Sequence, residues 1–148
     1  MNGTVFVDTN VLVYVRDETE PEKQRRAAEW MAALWDRRLG RLSVQVLQEY
    51  YVTLTQKLDP PRRAEEVRED VVALSAWRPA ALDVALMERA WALQDRFGFS
   101  WWDSLIVAGG LEVGCRYLLT EDLQDGQVVD GLTIISPFTR GPESIMGG

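Results

Sequence analysis

The sequence predicts an α/β protein, a three-layer α/β/α sandwich built on a mostly parallel central sheet. Short runs rich in Val, Ile, Leu and Phe recur along the chain, as is typical of buried strands. Stretches with apolar residues at helical spacing separate these runs and are long enough to cross from one strand to the next. Strands that alternate with crossover helices form parallel sheets with helices on both faces.

The first half of the chain is predicted to alternate strands with helices. Apolar side chains recur at helical spacing from Ala27 to Trp35, with charges between them. Gly40 is predicted to end that helix and Ser43 to begin the next, because glycine favours C-terminal caps and serine favours N-terminal caps. The predicted elements are a strand at 4–8, helices at 10–16 and 22–38, a short strand at 41–43, and helices at 44–57 and 62–75.

The second half continues the same alternation. Asp83 and Ser100 are predicted N-caps, and Gly98 is predicted to end the helix between them. The runs at 117–120 and 132–135 have the apolar and β-branched composition of buried strands. The predicted elements are a short strand at 80–82, a helix capped by Asp83 that reaches about Phe97, a helix at about 101–113, and strands at 117–120 and 132–135.

The chain of 148 residues is long enough for one domain and too short for two, so 1–148 is predicted to be a single domain. Its tail from about residue 138, rich in Gly and Pro, is predicted to be flexible. No apolar run approaches the ~18 residues that span a bilayer, and the N-terminus lacks the basic region of a signal peptide. Cys115 is the single cysteine, so a reduced cytoplasmic location is expected.

Two absences restrict the metal chemistry available to this chain. It has no histidine and one cysteine, which excludes zinc sites of the usual nitrogen and sulfur kind. Any metal is therefore a hard cation bound by oxygen, with Mg²⁺ or Mn²⁺ expected first. The net charge of −7 argues against a surface that coats nucleic acid, yet it is compatible with a nuclease whose clustered acids bind cations.

Four acidic residues lie at predicted element boundaries or on apolar helices. Asp8 and Asp122 each follow a strand, and Asp103 lies in the first turn of an apolar helix. Glu49 lies on a helix apolar enough to be buried, where an unpaired carboxylate is costly. Because the carboxyl ends of parallel strands meet at one edge, these acids are expected to converge there. Clustered carboxylates repel one another unless a cation neutralises them, which indicates a metal site.

Each of these acids also has a simpler interpretation. Asp8 and Asp103 fit helix-capping patterns, and Asp122 fits an Asx turn. Glu49 fits a position on a solvent-facing edge of its helix. A shared metal site explains all four together, since the nearby sequence supplies few cations to pair with them.

In order and in local context, the acids and their neighbours resemble the PIN-domain ribonucleases. The motifs that carry the resemblance are Val7-Asp8-Thr9-Asn10, Ser43 with Glu49, Trp102-Asp103, and Leu119-Thr120-Glu121-Asp122. The resemblance extends from Asp8 to Ile135, and in particular the chain looks like the VapC-type toxins of bacterial and archaeal toxin–antitoxin pairs. It implies a PIN-like, Rossmann-like fold whose acids gather at one sheet edge and bind Mg²⁺ or Mn²⁺.

Carried over position by position, the resemblance implies a catalytic, metal-binding cluster with polar supports. The cluster is Asp8, Glu49, Asp103 and Asp122, and the supports are Asn10 and Thr120, with Thr9 as a further candidate. Three acids of one loop compete for the fourth place in the cluster. Asp122 is favoured over Glu121 by the usual position of the family's acid after the strand, and Asp125 lies in the same loop.

The implied reaction is metal-dependent hydrolysis of RNA phosphodiester bonds by the toxin of a type II toxin–antitoxin pair. The implied partners are the RNA substrate, a cognate antitoxin protein and a second copy of the chain in a homodimer. The alternatives are a PIN-like domain in RNA processing and a non-catalytic protein-binding domain whose acids only cap helices. An aspartyl phosphatase is a further alternative, but that chemistry usually has a second acid where this chain has Asn10.

Trp101 and Trp102 precede Asp103 and allow two interpretations. Exposed aromatic faces beside the site would stack on the bases of single-stranded RNA. Buried aromatic residues would instead belong to the core. Because buried aromatics are the commoner case, the core is predicted for both.

Overall fold

The computed structural model describes residues 3–146, and its centre is a five-stranded sheet. The strands are β1 (Val5–Val7), β2 (Gly40–Arg41), β3 (Tyr117–Leu119), β4 (Val128–Val129) and β5 (Leu132–Ile135). They lie in the order β2-β1-β3-β5-β4, and every neighbouring pair is parallel except β4 with β5. The predicted mostly parallel sheet is confirmed.

Seven α-helices accompany these strands in the described part of the chain. They are α1 (Thr9–Arg16), α2 (Pro21–Arg37), α3 (Val44–Val52), α4 (Ala64–Leu74), α5 (Val84–Phe97), α6 (Trp101–Glu112) and α7 (Glu143–Met146). The predicted N-caps are confirmed, because Ser43, Asp83 and Ser100 each accept a hydrogen bond from the backbone N–H three residues on. Within residues 3–146, no helix combines the length and the apolar character needed to cross a membrane.

Helices cover both faces of the sheet. Val5, Phe6 and Val7 are all fully buried, although successive strand residues point to opposite faces. On the Phe6 face, α6 packs so closely that a Cβ atom at Gly109 would lie 3.1 Å from the Phe6 ring. The predicted three-layer α/β/α sandwich is therefore confirmed.

The prediction that Gly40 ends the second helix is wrong. That helix ends at Arg37, and its C-cap, Arg38, adopts the left-handed conformation with φ 58°. Gly40 instead begins β2, where an added Cβ would lie 2.2 Å from the Trp77 ring. Glycine is needed at this position for the close approach of an aromatic ring, a tertiary contact that helical spacing does not reveal.

The substitution Gly40→Ala is expected to lower the free energy of unfolding by roughly 1–3 kcal/mol, because the added methyl group would overlap the buried Trp77 ring. Urea unfolding measures the change. In a Trp77→Leu background the same substitution should cost much less, since the ring it would overlap is absent. Equal costs in the two backgrounds would contradict the steric explanation.

Two short segments differ from the predicted strands. The strand predicted at 80–82 is a single parallel bridge between Ala80 and Ser43, because the chain turns at once to cap α5 with Asp83. β4 was not predicted, since two residues in a turn-rich stretch carry no periodic signal. It pairs with β5 through a tight hairpin in which both Asp130 and Gly131 have positive φ, as a type I′ turn requires.

The end of the chain, for which the sequence predicts flexibility from about residue 138, contacts the body of the protein. The indole Nε1 of buried Trp30 donates hydrogen bonds to the carbonyl oxygens of Pro137 (3.2 Å) and Arg140 (3.0 Å). Met146 in α7 is buried. The flexibility of this segment stays a prediction.

Candidate metal centre

Asp8 lies at the carboxyl end of β1, next to the end of β3. Its backbone N–H donates to the Leu119 carbonyl at 3.0 Å, which joins the ends of the two strands. Its side chain also caps α1, because Oδ1 accepts the Thr9 backbone N–H at 2.7 Å. Asp8 is only 5% exposed. Asp8 therefore caps α1 and also lies at the edge of the sheet where the acids are expected to converge.

Three carboxylates converge at this edge of the sheet. One oxygen each from Asp8, Asp103 and Asp122 lie within 4.8 Å of one another. Asp103 comes from the first turn of α6, and Asp122 comes from the loop after β3. Asp8 is buried, Asp103 half-buried and Asp122 exposed, so the group opens to solvent on one side. A set of carboxylate oxygens with open positions is the arrangement that Mg²⁺ uses in proteins.

Thr120 and Asn10 connect two of these acids. The Thr120 hydroxyl donates to Asp8 Oδ2 at 2.8 Å and accepts the backbone N–H of Asp122 at 3.1 Å. The Asn10 amide Nδ2 donates to Asp122 Oδ2 at 2.9 Å. Together the two side chains fix the separation between Asp8 and Asp122.

Glu49 lies beside the three-carboxylate group and is not one of its members. It comes from α3, is half-buried, and accepts the Thr9 hydroxyl through Oε1 at 2.9 Å. Thr9 therefore links this acid to the cap of α1, one residue from Asp8.

Of the three acids in the loop after β3, Asp122 is the one that lies with Asp8 and Asp103. Glu121, its neighbour, points away and accepts hydrogen bonds from the Tyr14 hydroxyl and from Lys23 Nζ, the latter at 3.1 Å. Asp125 accepts the Ser136 backbone N–H at 2.8 Å and also pairs with Arg140. Both competing acids therefore have partners elsewhere, and neither belongs to the three-carboxylate group.

Burial and mutual repulsion oppose ionisation of the acids. Burial raises the pKa of Asp8 from 3.8 to about 7, and the charges of Asp122 and Glu49 add to the rise against opposing hydrogen bonds. The pKa of Asp103 is also raised, mainly by burial and further by Asp122. A divalent cation among the oxygens would offset this repulsion and the lost hydration. The residues present therefore fit a Mg²⁺ or Mn²⁺ ion.

Without metal, Asp8→Asn is expected to raise the free energy of unfolding above pH 7 by a few kcal/mol. The carboxyl has a pKa of 3.8 when unfolded and about 7 when folded, so the folded state binds the proton more tightly. The free energy of unfolding therefore falls as the pH rises from 3.8 to about 7, and the loss is complete above about pH 7.

Thermal unfolding in EDTA measures this difference. The gain from asparagine, which carries no charge, should be large at about pH 8 and small at about pH 4. A variant less stable than the wild type at the higher pH would contradict the burial argument.

The three acids open into a cleft of about 760 Å³. Its wall includes Gln45, which is 4% exposed and has no hydrogen-bond partner within residues 3–146 for either amide atom. Lys57 is the one cation among the described lining residues. Sequence reasoning missed both residues. The spacing of four residues between Gln45 and Glu49 places them on one face of a helix and was the available signal for Gln45.

The prediction that Trp102 belongs to the core is wrong. Trp102 is 60% exposed and lines the cleft. Trp101 is half-buried and stacks on Trp91, with ring centroids 6.1 Å apart. Trp101 and Trp102 have different surroundings, since Trp101 packs on Trp91 while Trp102 lies on the wall of the cleft.

Comparison with known proteins gives a family match. The model of the family described as PIN domain matches residues 5–125. Among curated proteins, none matches the sequence.

Solved structures share the fold at low sequence identity. A chain of a toxin–antitoxin complex from Klebsiella pneumoniae is 18% identical, with a TM-score of 0.66 over 90% of this chain and 98% of that chain. VapC20 of Mycobacterium tuberculosis, a Sarcin-Ricin loop cleaving toxin, is 21% identical, with a TM-score of 0.54 over 78% and 87%. The structure of VapBC2 from Rickettsia felis bound to a promoter DNA fragment matches at 11% identity, with a TM-score of 0.57 over 90% and 98%.

Proposed function

The chain belongs to the PIN domain family, and from this premise we propose that it is a metal-dependent endoribonuclease that hydrolyses RNA phosphodiester bonds. One observation carries the proposal. Carboxylate oxygens of Asp8, Asp103 and Asp122 lie within 4.8 Å of one another, where parallel strands end. Composition gives further support, since a chain without histidine depends on oxygen ligands to bind a metal.

In this proposal Asp8, Asp103 and Asp122 are the ligands of Mg²⁺ or Mn²⁺. Glu49 is the fourth acid of the catalytic cluster, and its bond to Thr9 holds it beside the other three. Asn10 and Thr120 are supports, because their hydrogen bonds hold Asp8 and Asp122 in place.

The chain's own residues hold the acids ready for phosphodiester hydrolysis. When bound, Mg²⁺ or Mn²⁺ supplies Lewis-acid chemistry, which offsets charge on a phosphate and lowers the pKa of water. Thr120 keeps Asp8 Oδ2 in a fixed direction by donating to it at 2.8 Å. Burial of Asp8 excludes water from one side of the site, which strengthens electrostatic interactions there.

We further propose that the protein is the toxin of a type II toxin–antitoxin pair. Its partners would be an RNA substrate, a cognate antitoxin protein and a second copy of the chain in a homodimer, all in the cytoplasm. The support is the fold shared with a chain of the Klebsiella pneumoniae toxin–antitoxin complex, with VapC20 and with VapBC2.

Incubation of the purified protein with single-stranded RNA tests the proposed reaction. We expect cleavage with Mg²⁺ or Mn²⁺, none in EDTA, and recovery when the metal is returned in excess. Absence of cleavage with either metal, over a panel of unrelated RNAs, would favour the non-catalytic alternative.

Expression in a bacterial host separates a toxin from an RNA-processing domain. We expect the wild-type chain to arrest growth and Asp8→Asn to leave growth unchanged. RNA cleavage in vitro without growth arrest would favour a PIN domain in RNA processing.

A further inference from the structure

Trp102 is a large apolar side chain that the fold leaves in water. It is 60% exposed, although α6 buries seven of its residues, from Ser104 to Gly110. An aromatic side chain has a large area to bury, so exposure of most of an indole forgoes much of that stabilisation. The indole lies on the wall of the cleft, in the residue next to Asp103.

Trp102 and its neighbour Trp101 differ in their ring contacts within residues 3–146. Trp101 stacks on Trp91 in the protein itself. Among the described residues, no aromatic ring or cation packs on Trp102. The sequence therefore places two tryptophans side by side, one of which serves the fold and one of which faces the cleft.

The charge of the cleft restricts how it can bind a nucleic acid. Lys57 is the one cation along its described wall, against five acids. The five acids are Asp8, Asp17, Glu49, Asp103 and Asp122. Contacts between basic side chains and phosphates, which usually dominate nucleic-acid affinity, are therefore scarce here. Binding in this cleft must draw on contacts that do not depend on protein cations.

Stacking on an aromatic face is such a contact. Every nucleobase has a π-face, and one base stacked on an aromatic side chain contributes on the order of 5- to 150-fold in affinity. A base inside a duplex has both faces covered by its neighbours, so only an unpaired base can use this contact.

We propose that Trp102 is a substrate-binding residue whose indole stacks on an unpaired base beside the scissile phosphate. The inference rests on the proposed ribonuclease function and specifies that the cleft recognises an unpaired base of the substrate. Asp103, one of the three clustered acids, is adjacent to Trp102 in α6, and both residues line the same cleft, so the indole is placed to receive a base next to a phosphate at the acids.

The test compares Trp102→Ala, Trp102→Leu and Trp102→Phe in cleavage of one single-stranded RNA. Alanine and leucine should raise KM by roughly 5- to 150-fold, while phenylalanine, which keeps a planar face, should stay within a few-fold of the wild type. Mn²⁺ binding should not change in any of them. Trp35→Ala is the matched control, because Trp35 is also an exposed tryptophan and lies outside the cleft.

An abasic nucleotide next to the cleaved bond provides a second arm. With the wild type, the abasic RNA should raise KM as much as Trp102→Ala does. With the Trp102→Ala variant, the abasic RNA should raise KM almost no further. Cleavage by Trp102→Ala at the wild-type KM would overturn the stacking proposal alone. A leucine variant equal to the phenylalanine variant would also overturn it, because a side chain without a planar face would then serve as well as a ring. If the wild type cleaves no RNA, the proposed function itself fails.

Discussion

Asp8→Asn is expected to lower RNA cleavage by on the order of 10³-fold while the fold survives, because metal stabilisation of the transition state is worth several kcal/mol. Asparagine has the shape of aspartate and keeps an oxygen that can accept the Thr9 N–H, so the cap of α1 is preserved. It lacks the second oxygen and the charge that a cation requires. The loss should therefore appear in the rate and not in the fold.

A matched control makes this result specific. Asp95→Asn removes the same charge from an exposed position in α5 and should cleave RNA at the wild-type rate. Circular dichroism and thermal unfolding show whether each variant is folded. Wild-type cleavage by a folded Asp8→Asn protein would exclude Asp8 from the reaction.

Asp103→Asn and Glu49→Gln are expected to separate the three clustered acids from the fourth. Asp103 is a member of the three-carboxylate group, so its loss should raise the Mg²⁺ concentration needed for half-maximal cleavage by at least ~10-fold. Glu49 lies outside that group and bonds to Thr9. Glutamine keeps an oxygen that can accept from Thr9, so Glu49→Gln should shift the metal requirement less.

Cleavage measured over a series of Mg²⁺ concentrations distinguishes the two variants. A larger shift in the metal requirement for Glu49→Gln than for Asp103→Asn would contradict the geometry of the site. The same series with Asp95→Asn should reproduce the wild-type curve.

The convergence of Asp8, Asp103 and Asp122 could be predicted from the sequence because it depends on topology. Apolar runs that end in an acid indicate strands, and parallel strands bring their carboxyl ends to one edge. Asp8 and Asp122 follow strands that pair in parallel in the structure, and Asp103 enters from the first turn of α6. The helix N-caps could also be predicted, since Ser43, Asp83 and Ser100 each bond to a backbone N–H only three residues further along the chain.

Contacts between distant segments could not be predicted from one sequence. Glu121 and Asp122 are adjacent in the sequence, but only Asp122 joins the other two acids. Glu121 is instead bound by Tyr14 of α1 and Lys23 of α2. Local spacing does not reveal that these side chains lie together. Gly40 is a similar case, because glycine is required there by the ring of Trp77, a residue distant in the chain.

Trp102 illustrates a different difficulty. The general preference of aromatic residues for the interior predicts burial, and it holds for Trp30 and Trp77. It fails for Trp102, which lies next to Asp103 on the wall of the cleft. Exposure alone does not identify a site, because Trp35 is also exposed and lies outside the cleft.

Binding of Mn²⁺ to the metal-free protein tests the proposed metal centre most directly. Titration calorimetry should show saturable binding by the wild type and by Asp95→Asn. Asp8→Asn should lose more affinity than the ~10- to 100-fold typical of residues outside the ligand set. A wild type that binds no Mn²⁺, or an Asp8→Asn variant that binds it as tightly as the wild type, would contradict a metal centre at Asp8, Asp103 and Asp122.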